Sequence, residues 1–341
     1  MSFEMKFDPD SDHSVTLSSE PTIRHGFLPR EIRAIQAALT AERPLLVQGE
    51  PGVGKSQLAK AAAIALNYKF VQHVVDARTE SRDLLWHFDA ISRLATAQVM
   101  GALQMGVAST DTLRSSGKQA LALLKKELAI PRFIHPGPLW WAFDWKSAEE
   151  QAARVGAPRP PQRQNVDSGN GCVVLIDEID KAEPDLPNGL LEALGAGEFT
   201  PIGLGHPVRA TQPPLVIITT NGERTLPDAF LRRCLVLHLA LPREPQKLKE
   251  RLIERGRLHF PEAGDPLLDK AAGLLITDRV TAQESRWRPL PGQAEYLDLV
   301  RSVVGVAGHD QDQQMKLIEW NAEFVLRKHP DAMPEPDSCD D

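Results

Sequence analysis

The chain has 341 residues, enough for one large domain or two ordinary ones with a real hydrophobic core. Apolar residues make up 42% and charged residues 25%, which excludes a mainly disordered or fibrous chain. The 39 basic and 46 acidic residues leave a net charge of −7, which excludes general nucleic-acid binding by bulk charge and leaves open only a local basic channel.

No apolar run approaches the ~18 residues that a membrane helix needs. The start, Met1 to His13, is acidic and polar, without a signal-peptide core. The three cysteines, Cys172, Cys234 and Cys339, are far apart and lack metal spacing. They favour neither a disulfide framework nor a zinc site, and the expected location is a reducing cytoplasm.

Residues 1–25 read as a flexible lead-in. Arg30 to Thr40 reads as a helix, with Ile32, Ile35 and Leu39 at helical spacing. Pro44 to Gln48 is a strand candidate, followed by a glycine-rich turn and a helix over Ser56 to Leu66. Lys69 to Val75 is a second strand. This alternation predicts an α/β fold, a parallel sheet sandwiched by helices.

A helical insertion is expected at about 83–170. Leu84, Phe88, Ile91, Ala95, Val99 and Ala102 predict a helix over Arg82 to Leu103 with one apolar face. Leu121, Leu124 and Leu128 predict another over Gln119 to Ile130, after a loop near Ser109 to Lys118. Residues 155–171, rich in Pro, Arg, Gln, Gly and Asn, read as a mobile linker or loop. Trp140, Trp141 and Trp145 occur close together before it. They read as anchors of the insertion to the core, with an interaction surface as the alternative.

Cys172 to Ile176 is continuously apolar, as a central parallel strand is. Leu190 to Leu194 reads as helical, Glu198 to Arg209 as a hairpin, and Leu215 to Thr219 and Leu235 to Leu239 as strands. After Pro242 the pattern turns helical at Gln246–Arg257, Pro266–Ile276, Gly292–Val306 and Gln311–Lys328. The α/β domain is thus expected over 26–242, a helical lid domain over 243–330, and an acidic tail over 331–341.

Four motifs carry chemistry. Gly49-Glu50-Pro51-Gly52-Val53-Gly54-Lys55-Ser56, continued by Gln57, matches the phosphate-loop pattern between a strand and a helix. Its glycines let backbone N–H groups surround phosphates, and the helix N-terminus adds positive potential. Lys55 reaches the β- and γ-phosphates, and Ser56 offers a hydroxyl to Mg²⁺. The second motif is the apolar strand that ends in Asp177-Glu178. The first acid suits Mg²⁺, and the second can polarise an attacking water. Asp180 and Lys181 follow, as solvated or as functional residues. Third, the strand over Val216 to Thr220 ends in Asn221, which can bond the γ-phosphate or the water, or simply cap a turn. Fourth, Leu226-Pro227-Asp228-Ala229-Phe230-Leu231 leads into Arg232-Arg233. Either arginine can act as a finger on a neighbouring subunit's site, or both lie in a surface network.

This order of motifs resembles the AAA+ ATPases over about residues 25–330. Within them it is most similar to the MoxR-type branch, which is related to the chelatase and McrB-like groups. Phe133-Ile134-His135-Pro136-Gly137-Pro138-Leu139 is similar to that branch's "GPL" element, and the hairpin at 198–209 to its pre-sensor insertion. The resemblance implies that Gly49 to Gln57 bind ATP, that Ser56 and Asp177 hold Mg²⁺, and that Glu178 is the catalytic acid. It also implies that Asn221 is sensor 1 and that Arg233, with Arg232 as rival, is the trans finger. A homo-oligomeric ring, a hexamer, is implied, as is chaperone-like remodelling of a partner protein, often one with a von Willebrand A-type domain. A nucleotide-dependent switch or scaffold, or a McrB-like nucleic-acid-directed motor, are the alternatives. GTP in place of ATP stays open. The interval from Lys55 to Asp177 is longer than a minimal core needs. A lid arginine (sensor 2) is expected near Pro291-Gly292-Gln293-Ala294, where the sequence has Gln293. Arg286 and Arg288 lie upstream as substitutes.

Overall fold

The computed structural model describes residues 14–19, 22–107, 122, 124–164, 166 and 171–329. The loop expected at 109–118 and the tail at 331–341 lie outside the described residues.

The fold is mixed α/β. Five strands form one sheet: β3 (Leu45–Gly49), β4 (Lys69–Val74), β7 (Cys172–Asp177), β10 (Leu215–Thr220) and β11 (Leu235–Leu239). Their order across the sheet is β11-β3-β10-β7-β4. Every residue of β7 and β10 is buried, which explains the apolar runs Cys172 to Ile176 and Leu215 to Ile218 that precede their polar ends. They pair in parallel, Leu215 with Val173 through Ile218 with Ile176, and β4 runs parallel along the other side of β7. The register brings the carboxyl ends of β7 and β10 to the same edge, where α/β sheets carry ligand sites.

By compactness the chain divides into two units, 36–46 with 67–235, and 1–35 with 47–66 and 236–341. In the first, α1 (Pro29–Ala41, begun in the other unit) leads to β3, and the insertion follows β4. There β5 (Trp86–Phe88) pairs antiparallel with β6 (Ile134–Pro136). The helix expected from Arg82 begins only at α3 (Ala90–Val107). Residues 82–88 form turns and β5 instead: Gly137 N and Leu139 N donate to Leu85 O and Leu84 O, and Asp89 caps the helix by accepting from Ser92 N at 2.8 Å. The six apolar residues therefore share no buried face. Leu84 is buried through the turn, whereas Ile91 and Val99 are 83% and 61% exposed.

The Trp-rich stretch forms α4 (Pro138–Phe143) and α5 (Trp145–Val155), two helices that sequence periodicity did not reveal. Asp144 caps α5 by accepting from Ser147 N at 3.0 Å, and Gly156 closes it in the left-handed conformation. Trp140 is fully buried and donates Nε1–H to Ser147 Oγ at 2.8 Å. Trp141 packs edge-on against Trp145, over which Lys69 lies. These rings anchor the insertion. Within the expected linker, Gln162 is bonded to β4: its Oε1 accepts from Phe70 N at 3.0 Å and its Nε2 donates to Phe70 O at 2.8 Å. After β7 come α6 (Asp185–Ala196), the short hairpin of β8 (Glu198–Phe199) with β9 (Val208–Arg209), and the single turn α7 (Asp228–Leu231).

The other unit holds α2 (Lys55–Ala65) and the helices α8 (Pro245–His259), α9 (Asp265–Glu284), α10 (Gln293–Ala307) and α11 (Gln311–Leu326). The last four share a core around Leu252, Leu268, Leu275, Tyr296 and Val300. Within the expected lead-in, β1 (Ser14–Ser19) and β2 (Thr22–Gly26) pair antiparallel with an irregularity between Thr16 and Ser18. The pairing satisfies the backbone groups of these strands.

Candidate nucleotide-binding site

The phosphate loop follows β3. A Cβ on Gly49 would stand 2.2 Å from Leu239 O, so only glycine fits there. Gly52 and Gly54 have φ of +77° and +96°, the left-handed region that glycine enters without strain. Gly54 starts α2, whose N-terminus has no side-chain cap. Lys55 is buried, and its Nζ donates to Gly49 O at 2.8 Å and Glu50 O at 2.9 Å. Ser56 and Gln57 continue the first turn of α2. The start of α10 abuts the loop. A Cβ on Gly52 would meet Ala294 Cβ at 2.9 Å, and one on Gly54 would lie 4.0 Å from Gln293 Nε2. Gln293, where a lid arginine was expected, is therefore beside the loop but uncharged. Arg286 and Arg288 are exposed.

One arginine of the helical region does reach the loop, and the sequence reading did not single it out. Arg279 of α9 donates Nη2 to Glu50 Oε2 at 2.7 Å. A small cavity of about 40 Å³ adjoins Val53, lined also by Leu28, Leu241, Arg255 and Gln293.

In the other unit, β7 ends at Asp177 and Glu178 follows. Thr219 of β10 binds both: its hydroxyl donates to Asp177 Oδ1 at 2.5 Å and accepts from Glu178 N at 2.9 Å. Thr219 is fully buried, so this pair of bonds is shielded from water. Glu178 has φ of +62°, a left-handed conformation that costs a non-glycine residue of order 1 kcal/mol and recurs at functional sites. Its carboxylate accepts from Lys181 Nζ at 2.5 Å, which raises the Lys181 pKa. Asp180 is not solvated. It is 3% exposed, and its Oδ2 accepts from Glu223 N at 3.0 Å. Asn221 follows β10 directly, before Gly222 at φ +75°.

Arg232 and Arg233 both have exposed side chains. Their backbone carbonyls are gripped by Arg43, whose Nε donates to Arg233 O at 3.0 Å and Nη2 to Arg232 O. Leu235 N donates to Pro44 O at 2.9 Å. Both arginines thus project from a fixed main chain.

Among the described residues no cluster of three or more His, Cys, Asp or Glu could hold a metal, and no helix is long and apolar enough to cross a membrane. Cys172 and Cys234 are buried free thiols, and burial pushes their pKa values up to about 12 and about 11.

Residues 44–256 match the family profile described as the AAA domain (dynein-related subfamily). The chain belongs to this AAA ATPase family. The matched AAA region contains the phosphate loop, the acidic pair, Asn221 and both candidate finger arginines, and it ends within α8. Among solved structures the AAA chain is similar to a mutant form of RuvB from Thermotoga maritima, at 16% identity with a TM-score of 0.44, covering 86% of this chain and 68% of that one. It is also similar to a candidate ATPase from Cytophaga hutchinsonii, at 14% identity with a TM-score of 0.34, covering 87% and 80%. No curated protein matches the chain in sequence.

Proposed function

We propose that this AAA protein is an Mg-ATP-hydrolysing motor of MoxR type that remodels a partner protein. The observation that carries the reading is Thr219, which fixes Asp177 and the Glu178 main chain at the end of a buried strand. Such preorganisation suits two carboxylates with separate tasks.

Lys55 and the uncapped N-terminus of α2 bind the phosphates. The Ser56 hydroxyl and the Asp177 carboxylate are hard oxygen donors, which fit Mg²⁺. When bound, that ion neutralises phosphate charge. Glu178 accepts a proton from the attacking water, and Asn221 orients that water. Arg233, or its rival Arg232, enters from the next subunit of a ring, expected to be a hexamer. The MoxR likeness suggests a partner with a von Willebrand A-type domain.

Glu178→Gln tests the reading. It should bind ATP, turn over very slowly and hold subunits and partner together. Unchanged turnover removes Glu178 from the role.

The Glu178–Lys181 bond favours a second reading, a nucleotide switch with little turnover, because the carboxylate that would meet the attacking water is already engaged by an ammonium. Steady-state hydrolysis by the assembled protein separates the two.

A further inference from the structure

Arg279 is 8% exposed, and its two terminal nitrogens serve different partners. Nη1 donates to Pro291 O at 2.7 Å, and Nη2 to Glu50 Oε2 at 2.7 Å. Pro291 leads into α10, whose first residues lie against Gly52 and Gly54. Glu50 is held a second time, through its carbonyl, by Lys55 Nζ. One loop residue is therefore gripped through its main chain by the phosphate-binding lysine and through its side chain by an arginine of the helical region.

An ammonium has few N–H donors, and Lys55 commits two of them to the Gly49 and Glu50 carbonyls. Phosphate oxygens compete with those carbonyls for its three N–H donors, so occupancy of the loop bears on how Glu50 is held. The guanidinium is a rigid fork, so one planar group ties the Glu50 carboxylate to the Pro291 carbonyl.

We propose that Arg279 is a positioning residue that transmits occupancy of the phosphate loop to α9 and α10 through Glu50. The proposal rests on the reading that this loop binds nucleotide. It assigns lid coupling to a residue other than Gln293, Arg286 or Arg288.

The test combines binding of a fluorescent ADP with hydrogen exchange over residues 277–297, with and without Mg-ADP. Wild type should bind nucleotide and show altered exchange there. Arg279→Gln and Glu50→Gln should still bind, weakened roughly 2- to 30-fold, and lose the exchange response. Arg279→Lys should recover part of it, as should the swapped pair Glu50→Arg with Arg279→Glu. Either glutamine variant binding nucleotide with a wild-type exchange response overturns the proposal. Should Arg279→Gln fail to fold, Glu50→Gln carries the test alone, because its side chain is 45% exposed and its removal spares the helical core. A merely structural Arg279 would lower the melting temperature and leave the response intact in folded variants. Wild type that binds no nucleotide would instead overturn the reading of the loop itself.

Discussion

Thr219 and Asp177 share a 2.5 Å hydrogen bond in which the buried hydroxyl donates to the carboxylate. The same oxygen accepts from Glu178 N, so one side chain sets both acids. Thr219→Val keeps the shape and removes the bond. It leaves Asp177 and the Glu178 amide short of a partner, at a cost of about 1–3 kcal/mol. We expect a lower melting temperature and much slower hydrolysis, with both restored by Thr219→Ser. Hydrolysis at the wild-type rate in the valine variant would detach Thr219 from the site.

Lys55→Ala should lose nucleotide binding, because the phosphates lose their cationic partner and the loop loses the clasp on Gly49 and Glu50. Titration calorimetry with Mg-ADP reads this directly. Affinity equal to wild type would contradict the loop assignment.

Arg233→Ala should bind ATP nearly normally and hydrolyse it roughly 10³-fold or more slowly, as expected on losing an arginine finger. Mixing it with Lys55→Ala should restore partial activity, since some interfaces then combine an intact Lys55 with an intact Arg233. The mixture staying inactive despite demonstrated co-assembly would move the role to Arg232, whose backbone Arg43 holds equally.

His259 is 4% exposed, and its pKa is lowered to about 4 by burial and by the charges of Arg255, Arg301, His25 and Arg24. The unfolded chain then binds the proton more readily than the folded one. Stability from this group is complete above about pH 6.5 and is lost as pH falls toward about 4. Thermal melts across that window should show the decline, and His259→Gln should flatten it. His25, whose pKa is also lowered, leaves a residual slope in that variant.

The buried strands were legible as short continuous apolar runs, and the helices after Pro242 because their apolar residues recur with a single period. The element from Arg82 was not. There, Leu84 and Phe88 fall at helical spacing with Ile91, although Asp89 beside Ser92 is the start signal. The tryptophan helices escaped notice because α4 is apolar on every side, which erases periodicity. In the site, the loop, the acids and Asn221 are contiguous motifs and could be named in advance. Thr219 and Arg279 could not. Their roles depend on partners 42 and 229 positions away, and no local spacing records such distances.

The two bonds between Gln162 and Phe70 have a consequence for the sheet. β4 is its outermost strand on that side, and such a strand presents unpaired amides and carbonyls to any passing chain. The primary amide of Gln162 copies a peptide group and occupies one donor–acceptor pair on that border. Shortening the proline-rich stretch to make a tidier protein would strip this guard away. The trimmed chain should then self-associate into sheet-extended aggregates even with its nucleotide chemistry intact.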